Sequence, residues 1–309
     1  MQTVEIVNFD TWLPYEGFAA GSGRSEKIWL QSEDGKIGLF KYPKIDPDTG
    51  SITSEHVSEH IAYQLGTLLN VKTAQIDLGS YHGRQGCMSY LLNKQNEAII
   101  EGAMFISGRH PDYDVNEMRE TKSGKYYCLD HIMEVSESEN IRGKWIQMML
   151  FDYLIGNTDR HQNNWAILIR YAGEKENRFY GRACPLYDNG SSLCCYVNNM
   201  MIESYLRKDK KRFESLVDSK SRSMIRLDGY NKKRPTHREV VTYLLEKYPQ
   251  ARSIAGEFCE NLTFLQISTL MESYVEVLSP SKRELIKRFL CRKIELLSEV
   301  LNGVINNET

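Results

Sequence analysis

Two stretches decide how this chain is read: Leu154-Ile155-Gly156-Asn157-Thr158-Asp159-Arg160-His161-Gln162-Asn163-Asn164-Trp165-Ala166-Ile167-Leu168, and Pro185-Leu186-Tyr187-Asp188-Asn189-Gly190. The first holds Asp159 and, five positions on, Asn164, followed by the apolar run Trp165 to Ile169. The second sets Asp188 after a short apolar lead and just ahead of a glycine. Upstream, Ile141, Trp145, Met148, Met149, Asp152 and Ile155 recur at helical spacing, which predicts a helix over 139–155. Residues 165–183 have the length of a strand, a turn and a second strand, enough to bring the two acids back together.

The chemistry that suits this order is phosphoryl transfer. That reaction asks the protein for positioning and charge rather than covalent work: an acid beside the attacking hydroxyl, oxygen ligands for magnesium, and cations on the phosphates. Asp159 fits the first role, Asn164 and Asp188 the second, and His161 can orient the loop by hydrogen bonds. An acid, an asparagine five residues later, a strand and a second acid before glycine is the arrangement by which protein-kinase-like folds hold ATP and Mg2+. Asp and Asn also favour plain turns, so either stretch alone is weak. Their order and spacing together carry the expectation of a phosphotransferase.

Working outward toward the N-terminus, Ile28–Gln31 and Ile37–Tyr42 read as strands joined by the turn Glu33-Asp34-Gly35-Lys36, the second ended by Pro43. Lys41 lies on that second strand. A helix is expected from about Thr53 to Leu69, with Val57, Ile61, Leu65 and Leu68 on one face and Asn70 as a left-handed stop. A strand lysine ahead of a helix bearing a glutamate is the pairing that presents an amine to phosphates. Glu55 and Glu59, four apart on one helix face, are both candidate partners. An edge-strand lysine that blocks aggregation is the plain alternative. The loop from Gly17 to Ser25, with Gly21, Ser22 and Gly23, can cradle phosphate through backbone amides, but it is not a regular GxGxxG. Ala74–Leu78 and Gly86–Leu91 read as two further strands.

The remainder reads as helical, over 236–248, 257–278 and 280–302, with Pro280 in a first-turn position. Two basic runs, Lys208–Lys211 and Lys232–Arg234, bracket a Ser-rich stretch expected to be solvated. Cysteines at 87, 128, 184, 194, 195, 259 and 291 form no CxxC, and most are expected to be buried thiols of a reducing cytoplasm. His56 and His60 lack the HExxH order and are expected to be solvated. Neither a Walker GxxxxGK[ST] nor a GxSxG is present, and a formal charge of −2 from 39 basic and 41 acidic residues gives no pull toward nucleic acid or membrane. The N-terminus shows no signal-peptide pattern and no apolar run approaches membrane-spanning length, so a cytoplasmic protein is expected; export without a cleaved signal stays compatible with this.

At these residues the sequence resembles the HipA-like serine/threonine kinases, and most of all the compact CtkA-like members that lack the extra N-terminal domain of full-length HipA. Asn157-Thr158-Asp159-Arg160-His161 with Asn164 matches the family's catalytic loop, Pro185-Leu186-Tyr187-Asp188 its second motif, and Ser58-Glu59 its helix start. The resemblance covers about Gly17 to Ser192. It implies Asp159 as catalytic base, Asn164 and Asp188 as magnesium ligands, Lys41 on the phosphates with Glu59 as its partner, and backbone at Tyr90 and Leu91, through to Asn93, against the adenine. The segment Ala19–Gly23 departs from the family's serine-containing phosphate loop.

The expected fold class is α+β: a two-lobed protein-kinase-like fold with a small β-rich lobe over 1–92 and a mainly helical lobe over 93–309. The expected activity is ATP- and Mg2+-dependent phosphorylation of a protein serine or threonine, the chain itself included. Full-length relatives add an antitoxin-type partner to the expectations. Other readings are a small-molecule or lipid kinase, since related folds use the same acids, and a nucleotide-binding pseudokinase that serves as an interaction module.

Overall fold

Alternation along Ile37–Lys41 explains why one strand serves both a core and a site. Phe40 points into an apolar cluster with Phe9, Leu30, Tyr81 and Met88, all buried, so Lys41, one residue on, points to the opposite face. The computed structural model describes residues 3–18, 26–47, 49–94, 96–135, 139–171, 179–208 and 210–306. The chain divides into two compact units, one of Met1–Leu92, Asp188–Phe213 and Leu262–Cys291, the other of Asn93–Tyr187, Glu214–Asn261 and Arg292–Thr309.

The first unit is built on a six-stranded sheet. Its strands are β1 (Val7–Asn8), β2 (Leu13–Pro14), β3 (Lys27–Gln31), β4 (Ile37–Lys41), β5 (Ile76–Tyr81) and β6 (Arg84–Tyr90), in the order β1-β5-β6-β4-β3-β2. All neighbours are antiparallel except β1 with β5. β5 and β6 form a tight hairpin at His82 and Gly83, both at positive φ (49° and 73°), the geometry that matches strand twist. Gly86 is required by close approach: a Cβ there would lie 2.4 Å from the Lys41 carbonyl oxygen.

Helix α1 (Glu55–Leu68) connects β4 to β5 and packs on β5 and β6. It buries Val57, Ile61 and Leu65 as expected, but Leu68 is exposed and Leu69 buried, because the chain turns out of the helix there. Asn70 takes φ 54° and ends the helix in the left-handed form. His56 and His60 are buried rather than solvated; His60 Nδ1 is 2.7 Å from the Tyr274 hydroxyl, which supplies the partner that burial requires. Lys282, also buried, donates to the carbonyls of Cys194 and Val197.

The second unit carries β7 (Ala98–Glu101), α2 (Gly102–Arg109), β8 (Tyr113–Asp114), β9 (Arg119–Glu120), α3 (Leu129–Glu134), α4 (Glu139–Ile155), β10 (Ala166–Tyr171) and β11 (Phe179–Ala183). β10 lies between β7 and β11 in an antiparallel sheet, and β8 pairs with β9. α4 matches its expected range and is buried on nearly all sides from Trp145 to Ile155, the pattern of a central helix. It packs against the helices His237–Lys247 and Pro249–Asn261.

The expected single helix over 257–278 is two, Pro249–Asn261 and Phe264–Glu272. Thr263 caps the second, its hydroxyl accepting from the Gln266 N–H while the Gln266 side chain returns to the Thr263 N–H, a capping box that restarts the helix. The Ser-rich stretch is not simply solvated: Lys210–Val217 is helical and Ser221, Ser223 and Ile225 are buried.

Candidate active site

Within the first unit three ionisable side chains meet. Lys41 Nζ lies 3.0 Å from Glu59 Oε1 and 2.9 Å from Asp188 Oδ1. Sheet alternation delivers the lysine, and the second turn of α1 delivers Glu59, which is 3% exposed. Burial alone would lower the Lys41 pKa, but the charges of Asp188 and Glu59 outweigh it and hold the ammonium well above the ordinary lysine range. Cys87 stands opposite Lys41 in the sheet, and burial pushes its thiol far up, so it stays protonated.

The segment that carries Asp188 is shaped to meet α1. Asp188 takes φ 56°, an uncommon left-handed conformation for a residue other than glycine. The Asn189 N–H then donates to Glu59 Oε2 at 2.9 Å, and the Ser58 hydroxyl donates to the Ser192 carbonyl at 3.1 Å. Gly190 suits the approach: a Cβ there would sit 3.2 Å from the Glu55 carbonyl and 3.3 Å from Glu59 Cγ. Glu55, the other candidate partner, pairs instead with Lys44 at 2.7 Å and accepts from the Tyr196 hydroxyl.

In the second unit the loop after α4 is pinned from below. Arg160, 1% exposed, makes a bidentate pair with buried Asp152 of α4 (Nε–Oδ2 2.9 Å, Nη2–Oδ1 2.8 Å) and donates through Nη1 to the carbonyls of Asn164 and Tyr187. Asn157 also donates to Asp152, and its carbonyl lies 2.8 Å from Nε2 of buried His237. Burial lowers His237 to about 3, so its imidazole is neutral. Asp159 is half-buried, with its N–H on the Asn157 side chain at 3.0 Å. The Asn164 amide nitrogen donates to the Asp159 carbonyl at 2.8 Å. His161 folds back on its own loop, Nδ1 accepting from the Asn163 N–H.

Thus the structure brings Lys41, Glu59 and Asp188 together in one unit, and Asp159, His161 and Asn164 together in the other. Tyr90 ends β6 with its hydroxyl on Asp77 at 2.6 Å. The N–H groups of Tyr90 and Leu91 donate to the carbonyls of Gln75 and Ile37, at 3.1 Å each. Gly21, Ser22 and Gly23 lie outside the described residues.

Arg160 and Asn189 were not picked out from sequence. The signal for Arg160 was Asp152, the one charge between Trp145 and Ile155 of the helix and eight residues before an arginine. Nothing local marks Asn189, which contributes only its backbone. Arg234, read as part of a solvated basic run, sits close enough to Asp159 for their charges to interact, although burial lowers its own pKa.

No family model matches the sequence. Over 207 aligned residues the chain is 24% identical to the serine/threonine-protein kinase CtkA of Helicobacter pylori, a match spanning 62% of this chain and 57% of that protein. The crystal structure of the H. pylori proinflammatory kinase CtkA superposes with a TM-score of 0.78 at 17% identity, covering 96% of this chain and 99% of the other. HipA of Shewanella oneidensis, solved with HipB and operator DNA, gives a TM-score of 0.49 at 13% identity, with 96% and 69% covered. Sequence and fold together make this chain a homologue of H. pylori CtkA, with the same mixed α+β fold.

Proposed function

We propose that the chain is an ATP- and Mg2+-dependent protein serine/threonine kinase of HipA-like type that also phosphorylates itself. The observation that carries this reading is the Lys41–Glu59–Asp188 cluster, a strand lysine held by a buried helix glutamate and by an acid in left-handed backbone. That CtkA, similar in sequence and fold, bears the name of a serine/threonine kinase supports the same reading.

In this reading residues 1–92 serve as the nucleotide lobe and 93–309 as the catalytic lobe. Lys41 neutralises phosphate charge, and Glu59 keeps its amine charged and aimed. Asn164 and Asp188 are the magnesium ligands; an amide oxygen and a carboxylate are the hard donors that this ion prefers. Bound Mg2+ supplies charge neutralisation on the transferred phosphoryl group. Asp159 accepts the proton of the acceptor hydroxyl, and the Arg160–Asp152 pair fixes its position. His161 orients the loop, Gly21, Ser22 and Gly23 line the phosphates, and the backbone at Tyr90 and Leu91 meets the adenine. The protein substrate carries a Ser or Thr acceptor, an antitoxin-type protein is a candidate partner, and the cytoplasm is the expected compartment. Among the described residues no helix is long and apolar enough to cross a membrane.

The test is transfer of label from γ-labelled ATP to protein, followed by phosphoamino-acid analysis. Label on serine or threonine, lost in Asp188→Ala, supports the reading. ADP release with small alcohols but never with protein would move it to a small-molecule kinase. Nucleotide binding with no ADP release from any acceptor would leave a pseudokinase.

A further inference from the structure

Three short segments of the second unit each bring one side chain to a common point. His110 follows the last residue of α2, Glu120 ends β9, and His131 lies in the first turn of α3. His110 Nδ1 lies 3.2 Å and His131 Nε2 2.9 Å from the same atom, Glu120 Oε1. The two imidazole rings stand perpendicular, with centroids 4.9 Å apart. Glu120 and His131 are buried and His110 is partly so.

The far side of each group is also held. His110 Nε2 is 2.8 Å from Glu134 Oε2. The Ser123 hydroxyl donates to Glu120 Oε2, which leaves Oε1 to face the imidazoles. The Cys128 backbone N–H donates to His131 Nδ1 at 3.3 Å, and Cys128 Sγ lies 3.5 Å from the same nitrogen. A carboxylate behind the imidazole, as Glu134 lies behind His110, fixes ring orientation around metal-ligating histidines.

The geometry points to a divalent transition-metal site, zinc by preference, formed by His110 Nδ1, Glu120 Oε1 and His131 Nε2 with water as the fourth ligand. At metal–ligand distances of about 2.0–2.2 Å, tetrahedral ligand atoms are about 3.3 Å apart. The separations of 3.2 Å and 2.9 Å fall close to that spacing. The ion takes the place of the hydrogens that otherwise lie between the two nitrogens and Oε1; His131 then carries its remaining hydrogen on Nδ1, which turns from accepting the Cys128 N–H to donating to Cys128 Sγ. Two imidazoles and one carboxylate suit zinc, whereas Mg2+ prefers an all-oxygen set. The ion would therefore be distinct from the magnesium of phosphotransfer. Its role is structural: α3 has six residues and β8 and β9 two each, and one ion cross-links the end of α2 to β9 and α3, adding to the packing of buried Ile106, Leu129 and Ile132.

The test uses the full chain, stripped with EDTA, incubated with zinc in excess Mg2+ and desalted before the metal is counted. The expected result is roughly one zinc retained per chain, with a raised thermal midpoint. Glu120→Gln and His131→Asn should lose the ion, and Asp188→Ala should keep it. Because the two buried variants can fail to fold, His110→Gln at the partly exposed ligand provides a second variant. Cobalt(II) added to the unsubstituted chain should give the visible absorption of a four-coordinate site. Zinc retained equally by folded His110→Gln, no zinc retained by the unsubstituted chain, or cobalt absorption of a six-coordinate ion would each overturn the proposal. A plain hydrogen-bonded cluster is the reading that would then stand.

Discussion

Glu59 accepts the Asn189 N–H on Oε2 at 2.9 Å while its Oε1 accepts the Lys41 ammonium at 3.0 Å. One buried carboxylate therefore fixes both a side chain and a backbone turn. The two duties separate by substitution. Glu59→Ala leaves the buried Asn189 N–H without its acceptor and the part-buried Lys41 ammonium with Asp188 alone, and should cost about 2–3 kcal/mol. Glu59→Gln keeps an oxygen for Asn189 and should cost less. Both should lower ADP formation at least ~100-fold, because each removes the charge that aims Lys41. Urea melts and ADP release on the two variants check this; equal stability loss would contradict it.

Arg160 and Asp152 are a buried pair, 1% and 3% exposed, and removing one partner strands the other. Arg160→Met should destabilise the chain by about 3–5 kcal/mol. The double variant Asp152→Leu/Arg160→Met should recover much of that loss in a denaturant cycle, yet remain inactive because the loop carbonyls of Asn164 and Tyr187 lose their donor. A double variant with full turnover would remove Arg160 from the site.

Gly190 and Gly108 make a contrasting pair. A Cβ at Gly190 meets the Glu55 carbonyl at 3.2 Å, so Gly190→Ala should push the Asp188 segment from α1, costing about 1–3 kcal/mol and reducing turnover. A Cβ at Gly108, within α2, meets nothing within 4 Å, so Gly108→Ala should be neutral or stabilising by up to ~1 kcal/mol. Thermal melts of both variants decide.

Acid should unfold this protein through its buried histidines. Burial lowers His56 and His60 to about 4 and His237 to about 3, from an ordinary value of 6.5. The unfolded chain takes up these protons near pH 6.5 and the folded chain does not, so protons favour unfolding below that pH. The contribution is complete above 6.5 and is lost as pH falls toward the folded values, at up to about 1.4 kcal/mol per pH unit for each histidine. Denaturant midpoints from pH 7.5 to 4.5 should fall, and His237→Gln should flatten the slope. An unchanged slope would contradict the burial of His237.

The sequence was most legible where spacing and local pattern are regular. Asp159, Asn164 and Asp188 stood out because their spacing is chemical, and α4 because its apolar period is long. Lys41 and Glu59 were legible as a strand lysine followed by a helix glutamate, but choosing Glu59 over Glu55 needed the family resemblance, since both share one helix face. His56 and His60 were misjudged because Tyr274, the partner of His60, is more than two hundred residues away. The break at Thr263 was missed because its capping box is a local signal inside a continuous apolar period. The return of Asp188–Phe213 and Leu262–Cys291 to the first unit has no local signature at all.

The most direct measurement of the central claim is the rate of ADP formation from ATP and Mg2+ by the full chain, beside Asp159→Asn and Lys41→Met, with folding of each checked by circular dichroism. The account predicts turnover in the unsubstituted chain and a loss of at least ~100-fold in both variants without loss of fold. Undiminished ADP formation in folded Asp159→Asn would contradict it.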